Sequence, residues 1–365
     1  PASSGSSSSW PSPPSSPWAW PCARCRPCES VPPPSRRRST DRRSIDPPPP
    51  ASPPVPTEHG HPRAVVLGDL VLDIVLLPEG PIRPGTDVLG AVRFRQGGSA
   101  ATTARWLARS AIPTTLVTAL GADGLAARLV QALTAAGVEV RAASRRTWRT
   151  GRLGVLVEAD GERSFVADRG AILHLRPRHL RAAWFAGVDL LHLPAYSLLA
   201  EPLAASAGWA AERVAHRGGA VSVDLASAGF LDRFGPRQVL DRVEALRPAV
   251  LLATAGESAA ALGGAGPTRL LELAPLVVVK EGAAGARAMR RGRRDVVLRP
   301  RAARLQDSTG AGDAFDGGFL AAWLRAGPGA RAGSLPAPDL GRCLRAGHRA
   351  AWAEVTGPRP ELDRP

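Results

Sequence analysis

Lysine is nearly absent from this chain: of 47 basic residues in 365, Lys280 alone is a lysine and the rest are arginine. The formal net charge of +15 would ordinarily raise nucleic acid as a partner. The arginines are scattered, however, and no aromatic–basic stripe interleaves them. The Arg/Ala/Gly/Pro bias reads as a GC-rich coding source, and nucleic-acid binding is not expected. Cysteine is scarce too, with four in the chain. Cys22, Cys25 and Cys28 have metal-ligand spacing and Cys343 could complete a set. The triplet sits in a Pro/Ser/Arg/Trp tail, so we read it as incidental. No disulfide framework is indicated, which fits a reducing compartment and a cytoplasmic protein. No apolar run reaches the ~18 residues needed to cross a bilayer, so no membrane partner is expected.

The first 56 residues hold 17 of the 36 prolines and 14 serines. Such a segment buries too little apolar surface to offset its ordering entropy, and we expect a disordered Pro/Ser/Arg-rich extension over residues 1–56. It has the composition of a transit segment without the amphipathic period. The chain begins with Pro1, so a fragment or an extension upstream of the true start stays equally open. Residues 57–365 are ample for one α/β core.

Along that core, residues 64–77 form an apolar run interrupted by Gly68, Asp69 and Asp73, which reads as a strand buried on both faces of a parallel sheet. Residues 80–97 read as short strands and turns, and 100–110 as a helix entered through Gly97 and Gly98. A strand at 116–120 precedes a helix at 125–136 that Gly137 stops. Residues 151–168 alternate around Asp160-Gly161, a hairpin signal, and with 80–97 make a small sheet. Asp168-Arg169-Gly170-Ala171 is either a pocket-lining segment or a strand-end turn. From 188 onward strands at 188–193, 220–225, 250–253 and 276–280 alternate with helices at 198–217, 236–246 and 257–263. That rhythm argues βαβ units and a mainly parallel sheet with helices on both faces. Ligands in such folds bind at the carboxyl ends of strands, where Asp224, Glu257 and Lys280 lie. Asp224 is equally readable as a helix cap, and Lys280 as a solvated strand end.

The most informative stretch is Asp307-Ser308-Thr309-Gly310-Ala311-Gly312-Asp313. Gly310, Ala311 and Gly312 leave their amides unshielded before a helix-compatible apolar run. Helix-start amides are orphan donors reinforced by the helix dipole, a ready anion pocket. Asp313 beside such a pocket suits phosphoryl transfer: amides hold charge on the phosphoryl oxygens and the carboxylate takes a hydroxyl proton. The bland alternative is a Gly-rich turn with Asp313 answering the dipole.

Asp307 to Asp313 resembles the C-terminal signature of the ribokinase-like (PfkB-type) carbohydrate kinases, D-T-x-G-A-G-D, with Ser308 in the usual Thr place. Gly97, Gly98 and Thr102 resemble the N-terminal signature G-G-x-x-x-N-x-A, with Thr102 where Asn is usual. Gly68 and Asp73 fit the opening Gly-x-x-x-x-Asp pattern, and Gly121-Ala122-Asp123 the G-x-D-x-x-G segment. Thr254 and Glu257 fit N-x-x-E, with Thr254 for Asn; Gly282 and Gly285 fit the nucleotide-side loop, and His348 lies in the segment like the helix near adenine.

The resemblance implies a three-layer α/β sandwich with a central mainly parallel sheet and a small β lid from about 80–97 and 151–168. It implies transfer of the γ-phosphoryl of ATP, with Mg²⁺ bridging the phosphates, to a hydroxyl of a sugar or sugar-like molecule. Asp313 is then the base and the amides of Gly310, Ala311 and Gly312 the anion hole. Asp73, Gly97, Gly98 and Thr102 hold the acceptor; Thr254, Glu257, Lys280, Gly282, Gly285, Asp307 and His348 lie on the ATP side, with Glu257 linked indirectly to the metal. A monovalent cation and a homodimer through the lid are compatible with the resemblance. The alternatives are a nucleoside or phosphosugar kinase on the same fold, or a degenerate relative that binds without turnover.

Overall fold

A computed structural model describes residues 61–158, 163–198, 200–301, 308–327, 335–357 and 361–362, within one unit, Pro54–Pro365. The 1–56 segment with its three cysteines, the Asp160-Gly161 turn and Asp307 lie outside the described residues.

In chain order the first elements are β1 (Ala64–Leu67), β2 (Val71–Pro78), β3 (Gly90–Gly97), α1 (Ser99–Arg109), β4 (Thr114–Gly121), α2 (Gly124–Ala135) and β5 (Val138–Arg145). Then come β6 (Arg152–Val157), β7 (Arg163–Asp168), β8 (Leu190–Pro194), α3 (Leu203–Ala215), β9 (Ala220–Asp224), α4 (Ala228–Phe234) and α5 (Pro236–Ala245). The series ends with β10 (Val250–Thr254), α6 (Ala255–Leu262), β11 (Leu276–Lys280), β12 (Ala286–Arg290), β13 (Val296–Leu298), α7 (Ala311–Arg325) and α8 (Ala337–Thr356).

The run 64–77 does not make one strand. β1 enters a nine-stranded sheet of order β13-β12-β11-β10-β9-β8-β1-β4-β5, whereas β2 enters a four-stranded sheet of order β3-β2-β6-β7. The break falls where the chain meets α1. A Cβ on Gly68 would stand 2.6 Å from the Ala100 Cβ, and the Ala100 amide donates to the Asp69 carboxylate at 3.2 Å. A small residue and a polar one thus divide what apolarity alone would join.

The large sheet is parallel from β11 to β5, and β12 and β13 close its other edge antiparallel. Its strands alternate between two cores. In β1, Ala64 and Val66 face residues of α1, α2, α7 and α8, while Val65 and Leu67 face residues of α3, α4, α5 and α6. That is a helix–sheet–helix sandwich, as the βαβ rhythm implies. β5, β12, β13 and α4 were not expected: β5 and β12 interleave arginines with short apolar residues, which hides their period. α7 is clamped between α1 and α8 through glycines. A Cβ on Gly317 would lie 2.6 Å from the Trp106 Cβ, and one on Gly318 2.6 Å from the Ala346 carbonyl.

In the small sheet the period of two sorts the side chains. Asp73 and Val75 share one face with Arg95, Val155 and Arg163, and Val75, Val155 and Val157 are buried there. The opposite face carries Leu76, Val92, Phe94 and Val166, all exposed.

Candidate active site

α7 starts from Gly310, whose φ of 76° is left-handed and suits glycine. The first intrahelical bond runs from the Ala314 amide to the Gly310 carbonyl, so the preceding amides point out of the helix. The Ala311 amide also reaches the Ser308 carbonyl at 3.2 Å. A Cβ on Gly310 would meet Thr102 Cγ2 at 3.4 Å and Glu354 Oε1 at 3.5 Å, and one on Gly312 would meet Lys280 Nζ at 3.5 Å. Thr102, Glu354 and Lys280 therefore surround the turn.

Asp313, in the first turn, accepts from the Ser99 hydroxyl at the head of α1. Its partial burial pushes the carboxyl up to about 8; Asp224 and Asp69 add to the rise, while the Ser99 bond and Lys280 oppose it. Gly97 and Asp73, which the resemblance assigns to the acceptor, are juxtaposed: a Cβ on Gly97 would fall 1.9 Å from Asp73 Oδ1, so only glycine leaves room for that carboxylate. Gly98 has φ 101°, a Cβ on it would stand 2.5 Å from the Asp69 carbonyl oxygen, and its carbonyl accepts from the Thr102 amide at 2.9 Å at the start of α1.

Beneath the turn lies a charge cluster. Lys280, 8% exposed, donates to Asp224 Oδ1 at 3.2 Å and to both oxygens of Asp316 at 3.0 Å. Burial opposes its charge, yet Asp224, Asp316 and Glu257 outweigh that penalty and hold the ammonium raised. Lys280 is thus not a solvated strand end, and Asp224 is an ion-pair partner and not a helix cap. Glu257 is buried and forms a capping box: its carboxylate accepts from the Thr254 amide at 2.7 Å, and its amide donates to the Thr254 hydroxyl at 3.2 Å. Thr254 so caps α6 as Asn would. Burial, with Asp224 nearby, raises the Glu257 carboxyl.

Gly282 and Gly285 both have positive φ in the tight turn from β11 to β12, and a Cβ on Gly285 would collide with the Leu298 carbonyl at 2.2 Å. His348 on α8 engages that same carbonyl through Nε2 at 3.0 Å and lies edge-on to Phe315.

A family model described as pfkB family carbohydrate kinase matches residues 61–362. The chain belongs to the pfkB family of carbohydrate kinases. A fructokinase of Klebsiella pneumoniae is 32% identical over 302 residues, 79% of this chain and 93% of that protein. Among solved structures, a putative ribokinase II from E. coli superposes with TM-score 0.70 at 20% identity, covering 82% of this chain and 94% of its own. A fructokinase from Xylella fastidiosa with bound ATP gives 0.69 at 22% identity, over 81% and 93%. An adenosine kinase from Sinorhizobium meliloti gives 0.68 at 20% identity, over 82% and 96%. These structures share the ribokinase-like fold that the signatures imply. As a pfkB member the chain is an ATP-dependent phosphotransferase acting on a sugar or nucleoside hydroxyl.

Several groups of this pfkB site escape sequence reasoning. Asp316, fully buried, is an acid inside an apolar helix run, the one visible signal. Arg163 on β7 donates to the Thr309 hydroxyl at 3.3 Å, joining the small sheet to the signature. Arg105 and the Trp106 indole hold the Glu354 carboxylate at 2.6–3.0 Å behind Gly310. Among the described residues, no group of three or more His, Cys, Asp or Glu could hold a metal, and no helix is long and apolar enough to cross a membrane.

Proposed function

We propose that this pfkB chain transfers the γ-phosphoryl of ATP to a sugar hydroxyl with Asp313 as the general base. The observation that carries the reading is the placement of Asp313: beside the outward amides of α7, bonded to Ser99, with its carboxyl raised to about 8. A base with a proton affinity near working pH transfers protons efficiently. The amides of Gly310, Ala311 and Gly312 stabilise charge developing on the transferred group, Ala311 while shared with Ser308. Asp73, seated by Gly97, orients the acceptor together with Gly98 and Thr102, whose methyl lies against the Gly310 turn. Thr254, Glu257, Lys280, Gly282, Gly285, Asp307 and His348 make up the nucleotide side.

The donor set fits Mg²⁺ carried by a nucleotide, since that ion keeps waters and needs only one or two carboxylates besides phosphate. Glu257 would hold it indirectly; when bound, it supplies charge neutralisation between the phosphates. The small sheet acts as a lid that excludes water, the competing acceptor. Its outer apolar face supports pairing with a second copy. Residues 1–56 are a dispensable extension, and the working compartment is the cytoplasm.

The test is ADP release from a panel of sugars, phosphosugars and nucleosides, with and without Mg²⁺ and with K⁺ replaced by Na⁺. Fructose comes first because the matched Klebsiella protein is a fructokinase. Turnover of a sugar that Asp313→Asn abolishes supports the reading. ATP binding without turnover on any acceptor overturns it in favour of a non-catalytic relative.

A further inference from the structure

One polar pair beside the base has no part in the phosphoryl-transfer scheme. Asp69 is 4% exposed. Its Oδ1 accepts from the Ala100 amide at 3.2 Å and its Oδ2 from the Arg169 guanidinium at 2.8 Å. Ser99, one residue earlier, donates to Asp313. Adjacent residues at the head of α1 therefore tether two carboxylates, the base through Ser99 and Asp69 through Ala100. Arg169 is itself fixed. Its guanidinium lies 3.6 Å from the ring centroid of Tyr196, the chain's single tyrosine. Tyr196 donates to the Ala226 carbonyl at 3.3 Å and meets Phe230 at 4.8 Å. Ala226 adopts φ 66°, a conformation costly for alanine, so the turn after β9 is held in place by its surroundings.

We infer that Arg169 is a positioning residue for transfer: by clamping Asp69 against the head of α1, it sets the proton affinity of Asp313 and so the pH at which turnover begins. The inference rests on the reading of Asp313 as the base. The charged and titratable groups facing Asp313 are Asp224 and Lys280 from β9 and β11, Asp316 from α7, Tyr196 from the turn after β8, and the Asp69–Arg169 pair. Arg163 reaches the neighbouring Thr309, and Arg105 with Glu354 stands behind Gly310. Of these, Asp69 and Asp224 favour the protonated base and Lys280 the ionised one. Arg169 offsets Asp69 directly. It turns an acid beside the base into a neutral pair.

The test measures the acidic limb of kcat/KM against pH in the full chain, and in parallel the Asp313 ¹³Cγ shift without substrates. Asp69→Asn leaves Arg169 uncompensated and should move both midpoints down. Arg169→Gln exposes Asp69 and should move both up, each by about one pH unit, the scale of a unit charge acting through an effective dielectric of about 20. Arg169→Lys keeps the cation and should restore the wild-type midpoint even if kcat falls. Should Asp69→Asn fail to fold, the two Arg169 variants decide alone. Folded variants whose rates fall while both midpoints stay put overturn the inference and leave the pair structural. A shift seen by NMR in a protein that never turns over supports the coupling while refuting the kinase reading.

Discussion

The two sheets use the same residue types to opposite ends. Every residue of β4 in the large sheet is buried, whereas β7 in the small sheet buries none. β1 and β2 come from one apolar run yet lie in different sheets, so hydrophobicity did not assign them; the close approach of Gly68 and Asp69 to α1 did. The large sheet, sealed between two helix layers, can hold Lys280 and Asp224 at its strand ends against Asp316 of α7 with little freedom to move. The small sheet instead carries Asp73 and Arg163 on one face, where Asp73 lies against Gly97 and Arg163 reaches Thr309, and leaves the other face to solvent. Substitutions at the large sheet's ends should therefore act on kcat and stability, and those in the small sheet on acceptor binding and association.

The largest effect should come from Asp313→Asn, with kcat falling on the order of 10²–10⁴-fold while ATP still raises Tm. The wild-type kcat/KM should rise with pH through about 8 as Asp313 loses its proton. The same carboxyl affects stability. Its folded proton affinity lies above the unfolded one, so stability present at acid pH is lost as pH rises from the carboxylate range through about 8. The Asn variant lacks this loss and should melt above wild type at alkaline pH. Wild-type turnover by Asp313→Asn would reduce the residue to a dipole partner and blur the distinction between the sheets.

Lys280→Met should be next. It strips Asp224 and the fully buried Asp316 of their shared cation. Removing one partner of a buried pair costs about 3–5 kcal/mol, read as a lower urea midpoint. Asp316→Asn in the same chain should recover part of it. A midpoint unchanged in Lys280→Met would mean that the cluster is solvated after all.

Much of the large sheet was legible. Local runs such as Val277-Val278-Val279 announce buried strands, and the 307–313 signature announces its own site. What was hidden is long-range. Lys280 finds Asp316 36 residues away, Asp69 finds Arg169 100 away, and Arg105 finds Glu354 249 away. No local window holds both partners, so periodicity cannot pair them. Thr254 shows the converse: its role as a cap to Glu257 is local, yet it looked like a departure because the motif is written with Asn, another favoured N-cap residue.

In the small sheet, Gly97→Ala should raise the acceptor KM roughly tenfold to hundredfold with the ATP KM unchanged, because its methyl would displace the Asp73 carboxylate. Gly97 has no left-handed φ to protect, so the loss is steric and local. Asp73→Asn should mimic it without the clash. If both leave acceptor KM unmoved, Asp73 is structural and the small sheet contributes only cover.

The smallest effect on the folded chain should come from the outer face of that sheet. Val92 and Val166 are 56% and 79% exposed and project from the same face as Leu76 and Phe94. Lysine at both positions removes almost no buried contact, so stability should shift by no more than about 0.5 kcal/mol. A second copy seated on this face would have to bury those four apolar side chains, and two lysines facing their symmetry mates would add like-charge repulsion. The Val92→Lys/Val166→Lys chain should then elute as a monomer in multi-angle light scattering while the wild type elutes as a dimer. Retained dimerisation would place the interface elsewhere. A wild type that is monomeric at all concentrations would leave the exposed face a feature of the small sheet alone, and the contrast between the sheets would then concern chemistry and not assembly.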